Sequence, residues 1–278
     1  MLFYSNVERL LDLLAGRDDS LELDRAALEL ARIQYPDLDA ERFLAILDSY
    51  AIELSGRLAG SPGGAGYVAA ANQYLFGDLG FTGNAQNYYD PRNSCLNEVL
   101  ATRTGIPITL AVVYLEVARR LARPVCGIGL PGHFLVEYRD ADLSVYVDVF
   151  HSGRTLTPDQ CYDLARQAAG PQEENDPRWL EPVGKRHILV RMLNNLSGVY
   201  FRRQSWAKAL AALNLLLAAE PGAADYYKQR AIAQIKLCNH AAARTDLESY
   251  LRLAPQATDR GEIEKHLRAV RHYLAGLN

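Results

Sequence analysis

Residues 90–150 read DPRNSCLNEVLATRTGIPITLAVVYLEVARRLARPVCGIGLPGHFLVEYRDADLSVYVDVF, and the rest of the chain is organised around them. Pro107 suits the first turn of a helix running to about Leu121. Leu110, Ala111, Val113, Tyr114, Val117 and Ala118 cover most of its faces, so this helix is expected inside its domain. Its N-terminus offers free N–H groups and partial positive charge, a good seat for a thiolate or an anion. Just ahead, Asn93 or Ser94 can cap a short helix from Cys95 to about Thr102, with Gly105 ending it.

Three strand-like pieces follow, at 124–130, 133–138 and 143–150. The last two form a hairpin across Asp140–Ala141, and centring the turn there makes opposed residue numbers sum to 281. Phe134 then faces Val147, Val136 faces Val145 and Tyr138 faces Leu143, an apolar face for the core. On the other face His133 stands opposite Asp148. Opposed Cβ atoms lie about 4.5–5.5 Å apart, close enough for a carboxylate to orient an imidazole. A slip by one residue would turn the apolar set away from the core.

Upstream, residues 1 to about 60 carry helical periodicity: LELDRAALELARIQYP stops at Pro36, and Asp39 precedes ERFLAILDSYAIELSGRL. The opening MLFYSNVERLLDLLAG reads as an amphipathic helix, not a signal peptide. Ser61–Gly66 is a loop by composition, followed by a helix from Tyr67 to Phe76. Downstream, Thr157–Pro158 opens a helix to about Ala169, and 171–186 is rich in proline, glycine and charge, as a linker would be. Beyond it Pro221 and Pro255, Ala209 and Ala243, and Leu213 and Leu247 each lie 34 residues apart. That period, with proline closing each unit, marks tetratricopeptide (TPR) helix pairs. Leu193, Leu196, Tyr200 and Tyr227 fit the pattern, Arg230 and Gln234 depart from it, and 259–274 reads as a capping helix.

Composition narrows the function classes. A net charge of -3 disfavours nucleic acid or an anionic membrane as the main partner. No apolar run approaches the ~18 residues that span a bilayer. Cys95, Cys126, Cys161 and Cys238 are scattered, without a CxxC or a histidine at ligand spacing. Reduced thiols in the cytoplasm, no metal and no cofactor are therefore expected.

The motifs YYDPRNS (88–94), LNEVL (96–100), RTGIPITL (103–110), GLPGHFLV (129–136) and VDVF (147–150) resemble the bacterial SirB-type family, in which a transglutaminase-like domain precedes TPR repeats. The resemblance covers nearly the whole chain. It implies an α+β fold: a papain/transglutaminase-like core, with a buried helix on a small antiparallel sheet, a helical N-terminal layer and a C-terminal all-α TPR segment. The corresponding domains are 1–170, a linker at 171–186, and 187–278. In active relatives a cysteine begins the buried helix, and a histidine and an aspartate on neighbouring strands complete the site. The histidine takes the thiol proton and the aspartate fixes its tautomer. His133 and Asp148 match those two positions, whereas the helix starts Pro107-Ile108-Thr109 and supplies no thiol.

Four readings of the site stay open. His133 and Asp148 persist as a structural or ligand-binding pair in a pseudo-active site. Thr109 acts as nucleophile, though a hydroxyl is far harder to deprotonate than a thiol. Cys95, near a helix start and Arg92, serves as a displaced nucleophile of a thiol-dependent acyl transferase or peptidase. Arg92, Asn93 and Arg103 bind an anion or a peptide carboxylate, or instead fix the loop. No constellation gathers His151, His187, His240, His266 or His272. The expected function is a non-catalytic adaptor whose repeats and degenerate cleft bind protein or peptide.

Overall fold

The computed structural model describes residue 10 and residues 17–58, 63–170 and 175–276. The amphipathic helix expected at the start of the chain lies outside these residues, apart from Leu10. The chain divides into two compact units, Gly16–Met192 and Leu193–Asn278 with Met1–Ala15.

In the first unit, α1 (Leu23–Ala31) and α2 (Ala40–Arg57) form a helical layer, and the Asp39 side chain caps α2 by accepting from the Arg42 N–H. Helix α3 (Gly64–Asn72) runs into a π-helical turn, Gln73–Asp78, so the predicted helix is present with a looser end. Two short parallel strands, β1 (Thr82–Gly83) and β2 (Thr104–Gly105), flank α4 (Leu96–Thr102). Helix α4 ends on Arg103, which takes the left-handed conformation (φ 58°) that glycine was expected to supply. Helix α5 (Pro107–Arg120) has all its residues from Pro107 to Ala118 buried, as its all-round apolarity requires. Both α1 and α2 pack on it.

The sheet is larger than the three predicted strands. Strands β3 (Val125–Ile128), β4 (Leu135–Arg139), β5 (Ser144–Asp148), β6 (Arg154–Leu156) and β7 (Pro182–Val183) lie in the order β6-β5-β4-β3-β7, every pairing antiparallel. Helix α5 packs against β3 and β4. The opposite face is also covered: Leu135, Tyr146, Leu156 and Ile128 form a second core with Cys161 and Ala165 of α6 (Pro158–Ala169). Trp179, in the 3-10 turn Pro177–Leu180, packs on that layer 6.5 Å from Tyr162. The span expected to be a linker, 171–186, thus contributes this turn, β7 and the start of α7 (Lys185–Arg202).

The hairpin register differs from the expected one by two. Val136 pairs with Val147 and Tyr138 with Val145, so opposed numbers sum to 283, not 281. The cause is the turn. Asp140 accepts from the N–H groups of Asp142 and Leu143 at 2.9 and 2.8 Å, and its own N–H donates to the Leu143 carbonyl. The loop therefore runs Asp140–Leu143, one residue further along than a turn centred on Asp140–Ala141. An even shift keeps every side chain on its face.

The second unit holds α8 (Trp206–Ala219), α9 (Ala224–Lys236), α10 (His240–Leu253) and α11 (Arg260–Ala275). Leu193, Leu196, Tyr200, Ala209 and Leu213 are buried, as the repeat pattern requires. Trp206 packs edge-on against Phe201 at 5.4 Å. Arg230, a departure from the pattern, grips the buried Asp246 with two hydrogen bonds of 2.8 and 2.7 Å. Among the described residues no helix is long and apolar enough to cross a membrane.

Candidate functional site

His133 leaves a tight turn ahead of β4. Gly132 sits at φ +65°, and a Cβ there would meet the Ala168 Cβ at 2.5 Å. The carbonyls of Leu130 and His133 both accept from the Arg191 guanidinium, at 3.0 Å each. That guanidinium also lies over the Phe134 ring, and its burial lowers its pKa. Arg191 thus holds the histidine turn from behind. No motif in the sequence points to it, because its partners are backbone oxygens distant in the chain.

Asp148 is the last residue of β5 and is 2 % exposed. Nε2 of His133 lies 3.0 Å from its Oδ1. The predicted pair is therefore formed, although His133 precedes β4 and the two are not opposed in the ladder. Oδ1 also accepts from the N–H groups of Phe150 and His151, at 3.1 and 3.3 Å. Oδ2 lies 2.7 Å from Nδ1 of His151, a residue for which no role is expected from sequence alone. One carboxylate thus serves two imidazoles. Burial pushes the Asp148 carboxyl up, but the two imidazoles outweigh it and hold its pKa below the usual carboxylate range. The signal that could have found His151 is its spacing: three residues past a strand-ending aspartate, a turn can fold it back. Gly153 at φ +76° and its N–H bond to the Asp148 carbonyl (3.0 Å) make that turn.

Aromatic rings wall the pair. Phe150 stands edge-on to His133 at 6.1 Å and to His151 at 5.2 Å, and Tyr88 is 6.1 Å from Phe150. Nδ1 of His133 makes no hydrogen bond among the described residues, so it is the nitrogen that would face a nucleophile.

None of the candidate nucleophiles stands ready. Thr109 is fully buried. Its hydroxyl lies 2.6 Å from the Asn93 carbonyl and accepts from the Ile106 N–H at 3.3 Å, so it caps its own helix and ties down the loop. Cys95 is fully buried, with Sγ 3.4 Å from the Pro91 carbonyl. Burial pushes the Cys126 thiol up to about 11 and the Cys161 thiol up to about 12. The three candidate ligand residues are engaged as loop fixers. Asn93 does not cap α4; its amide donates to the carbonyls of Asn87 and Tyr88 and accepts from Asn84. Arg92 chelates Asp90, and Arg103 donates to the Leu79 carbonyl at 2.6 Å. A separate cleft of about 300 Å³ is lined by Glu116, Arg119, Cys126, Val183 and Lys185 among others, and not by His133.

Residues 41–194 match the profile of the transglutaminase-like superfamily, and 196–268 match a tetratricopeptide repeat profile. A UPF0162 protein of Xylella fastidiosa (strain Temecula1) is 38% identical over 253 residues, 90% of each chain. A UPF0162 protein of Pseudomonas aeruginosa is 32% identical over 178 residues, 64% of each chain. F-box only protein 21 of Mus musculus is 33% identical over 163 residues, 55% of this chain and 25% of that protein.

Proposed function

The chain belongs to the transglutaminase-like superfamily, with tetratricopeptide repeats behind that domain, and from this premise we propose that it is a binding adaptor, not a catalyst. The observation that carries the reading is Thr109. The residue at the nucleophile's end of the buried helix spends its hydroxyl on the Asn93 carbonyl and the Ile106 N–H. A hydroxyl so committed and dry would have to give up structural bonds before His133 could deprotonate it. The buried Cys95, on the Pro91 carbonyl, is no better placed as the nucleophile of a thiol-dependent transferase or peptidase.

Repeats of this type generally mediate protein–protein interaction, and the partner we infer is a protein or peptide taken by the repeats and the degenerate cleft. The net charge of -3 argues against nucleic acid. Cys95, Cys126, Cys161 and Cys238 form no disulfide, which suits the reducing cytoplasm. The test is an assay of the full chain for amine incorporation into glutamine-containing peptides and for peptide cleavage. No turnover above background is expected. Turnover that disappears in both His133→Ala and Asp148→Ala would overturn the adaptor reading.

A further inference from the structure

The sequence, searched for cysteine and histidine spacings, predicts no metal site. The fold nevertheless brings His133, Asp148 and His151 together, each with a ligand atom within 4.8 Å of the others. We propose that these three residues form a binding site for one divalent transition-metal ion of the zinc class, with His133, Asp148 and His151 as its protein ligands. This goes beyond the adaptor reading and holds whether or not the repeats take a peptide.

The donor set argues the class of ion. Two imidazoles and one carboxylate suit zinc, cobalt, nickel or ferrous iron, whereas magnesium and calcium favour all-oxygen shells. Tetrahedral bonds of about 2.0–2.1 Å place donors roughly 3.3 Å apart. The two imidazole–carboxylate separations here are 3.0 and 2.7 Å, close to that spacing. The remaining closure falls to His151, whose side chain is 58% exposed, while His133 and Asp148 are 14% and 2% exposed. The half-open side leaves further coordination positions to water or a ligand.

The surroundings behave as an outer shell does. Two backbone N–H groups fix Asp148 Oδ1, and Phe150 restrains both rings. The exchange also balances. Both rings would coordinate through the nitrogen that faces Asp148, Nε2 of His133 and Nδ1 of His151. A proton held between ring and carboxylate would move to the outer ring nitrogen, Nδ1 of His133 or Nε2 of His151, with no net gain or loss.

The experiment uses the full chain with no affinity tag, stripped with EDTA and dialysed. Zn²⁺ is titrated by calorimetry and Co²⁺ by its visible d–d absorption, with Mg²⁺ as control. We expect one Zn²⁺ per chain, a Co²⁺ spectrum of low coordination number and no Mg²⁺ binding. His133→Gln, Asp148→Asn and His151→Gln should each weaken Zn²⁺ binding by about tenfold or more. The thermal midpoint in EDTA checks that each variant folds. If a buried-site variant does not, His151→Gln decides alone, since its ring is exposed. No saturable binding, or binding unchanged in His151→Gln, overturns the proposal. Peptide capture by the repeats, measured with and without Zn²⁺, fails or succeeds separately and so tests the adaptor reading on its own.

Discussion

The Thr109 hydroxyl bonds to the Asn93 carbonyl and the Ile106 N–H. Buried without exposure, it joins the loop at Asn93 to the first turn of α5. Thr109→Val keeps the shape and leaves the Asn93 carbonyl and the Ile106 N–H short of a partner, which should cost about 1–3 kcal/mol in denaturant melts. Thr109→Ser, which keeps the hydroxyl, should cost less than Thr109→Val; equal losses would point to the methyl group instead. At this scale the sequence was legible where a residue type has few structural uses, as with a histidine just ahead of one strand and an aspartate ending the next. It was silent on Arg191 and His151. Arg191 is recruited by carbonyls some sixty positions away (|i−j| of 61 and 58), and His151 by a turn that only the folded hairpin defines.

Among the elements, the hairpin was legible in its faces and not in its register. Alternation fixes parity, so the two-residue difference cost nothing in burial, while the turn chemistry of Asp140 decided the pairing. The turn before β4 is equally specific. Gly132→Ala puts a Cβ against Ala168 at a left-handed φ, and it should destabilise the unit by about 1–3 kcal/mol in urea or thermal melts. Helix α5 carries a different constraint. Its Glu116 and Arg120 meet Asp24 of α1, with Arg120 2.7 Å from Asp24 and also 2.7 Å from Asp48 of α2. Desolvation pushes the Asp24 carboxyl up, but the Arg120 guanidinium and the Arg25 N–H outweigh it and hold its pKa below the ordinary value. A depressed pKa means stability present above the unfolded value of about 3.9 and lost as pH falls through the lower folded value. Asp24→Asn should therefore cost about 1.5–3 kcal/mol at pH 7. That difference should shrink in acid melts below about pH 4. A loss that stayed constant down to the acid limb would count against the ion pair as its cause.

For the whole molecule, a 34-residue period and a buried helix sufficed to separate a repeat region from an α+β domain. The boundary was less legible. Residues 171–186 have a linker's composition, yet Pro182–Val183 pairs with Ile128 and Gly127 as an edge strand, where proline is tolerated because that N–H is not needed. Composition reports what a segment is made of, and edge pairing depends on what it lies beside. The two packed tryptophans, Trp179 in the first unit and Trp206 in the second, give the molecule an optical consequence. Each unit carries its own intrinsic fluorophore. In Trp206→Phe the emission comes from the turn beside Tyr162, and in Trp179→Phe from the start of α8. Asp24→Asn, introduced into each single-tryptophan background, should shift the Trp179 unfolding midpoint to lower denaturant. The accompanying change in the Trp206 midpoint then reads directly, in emission wavelength, how much of that lost stability the repeats share.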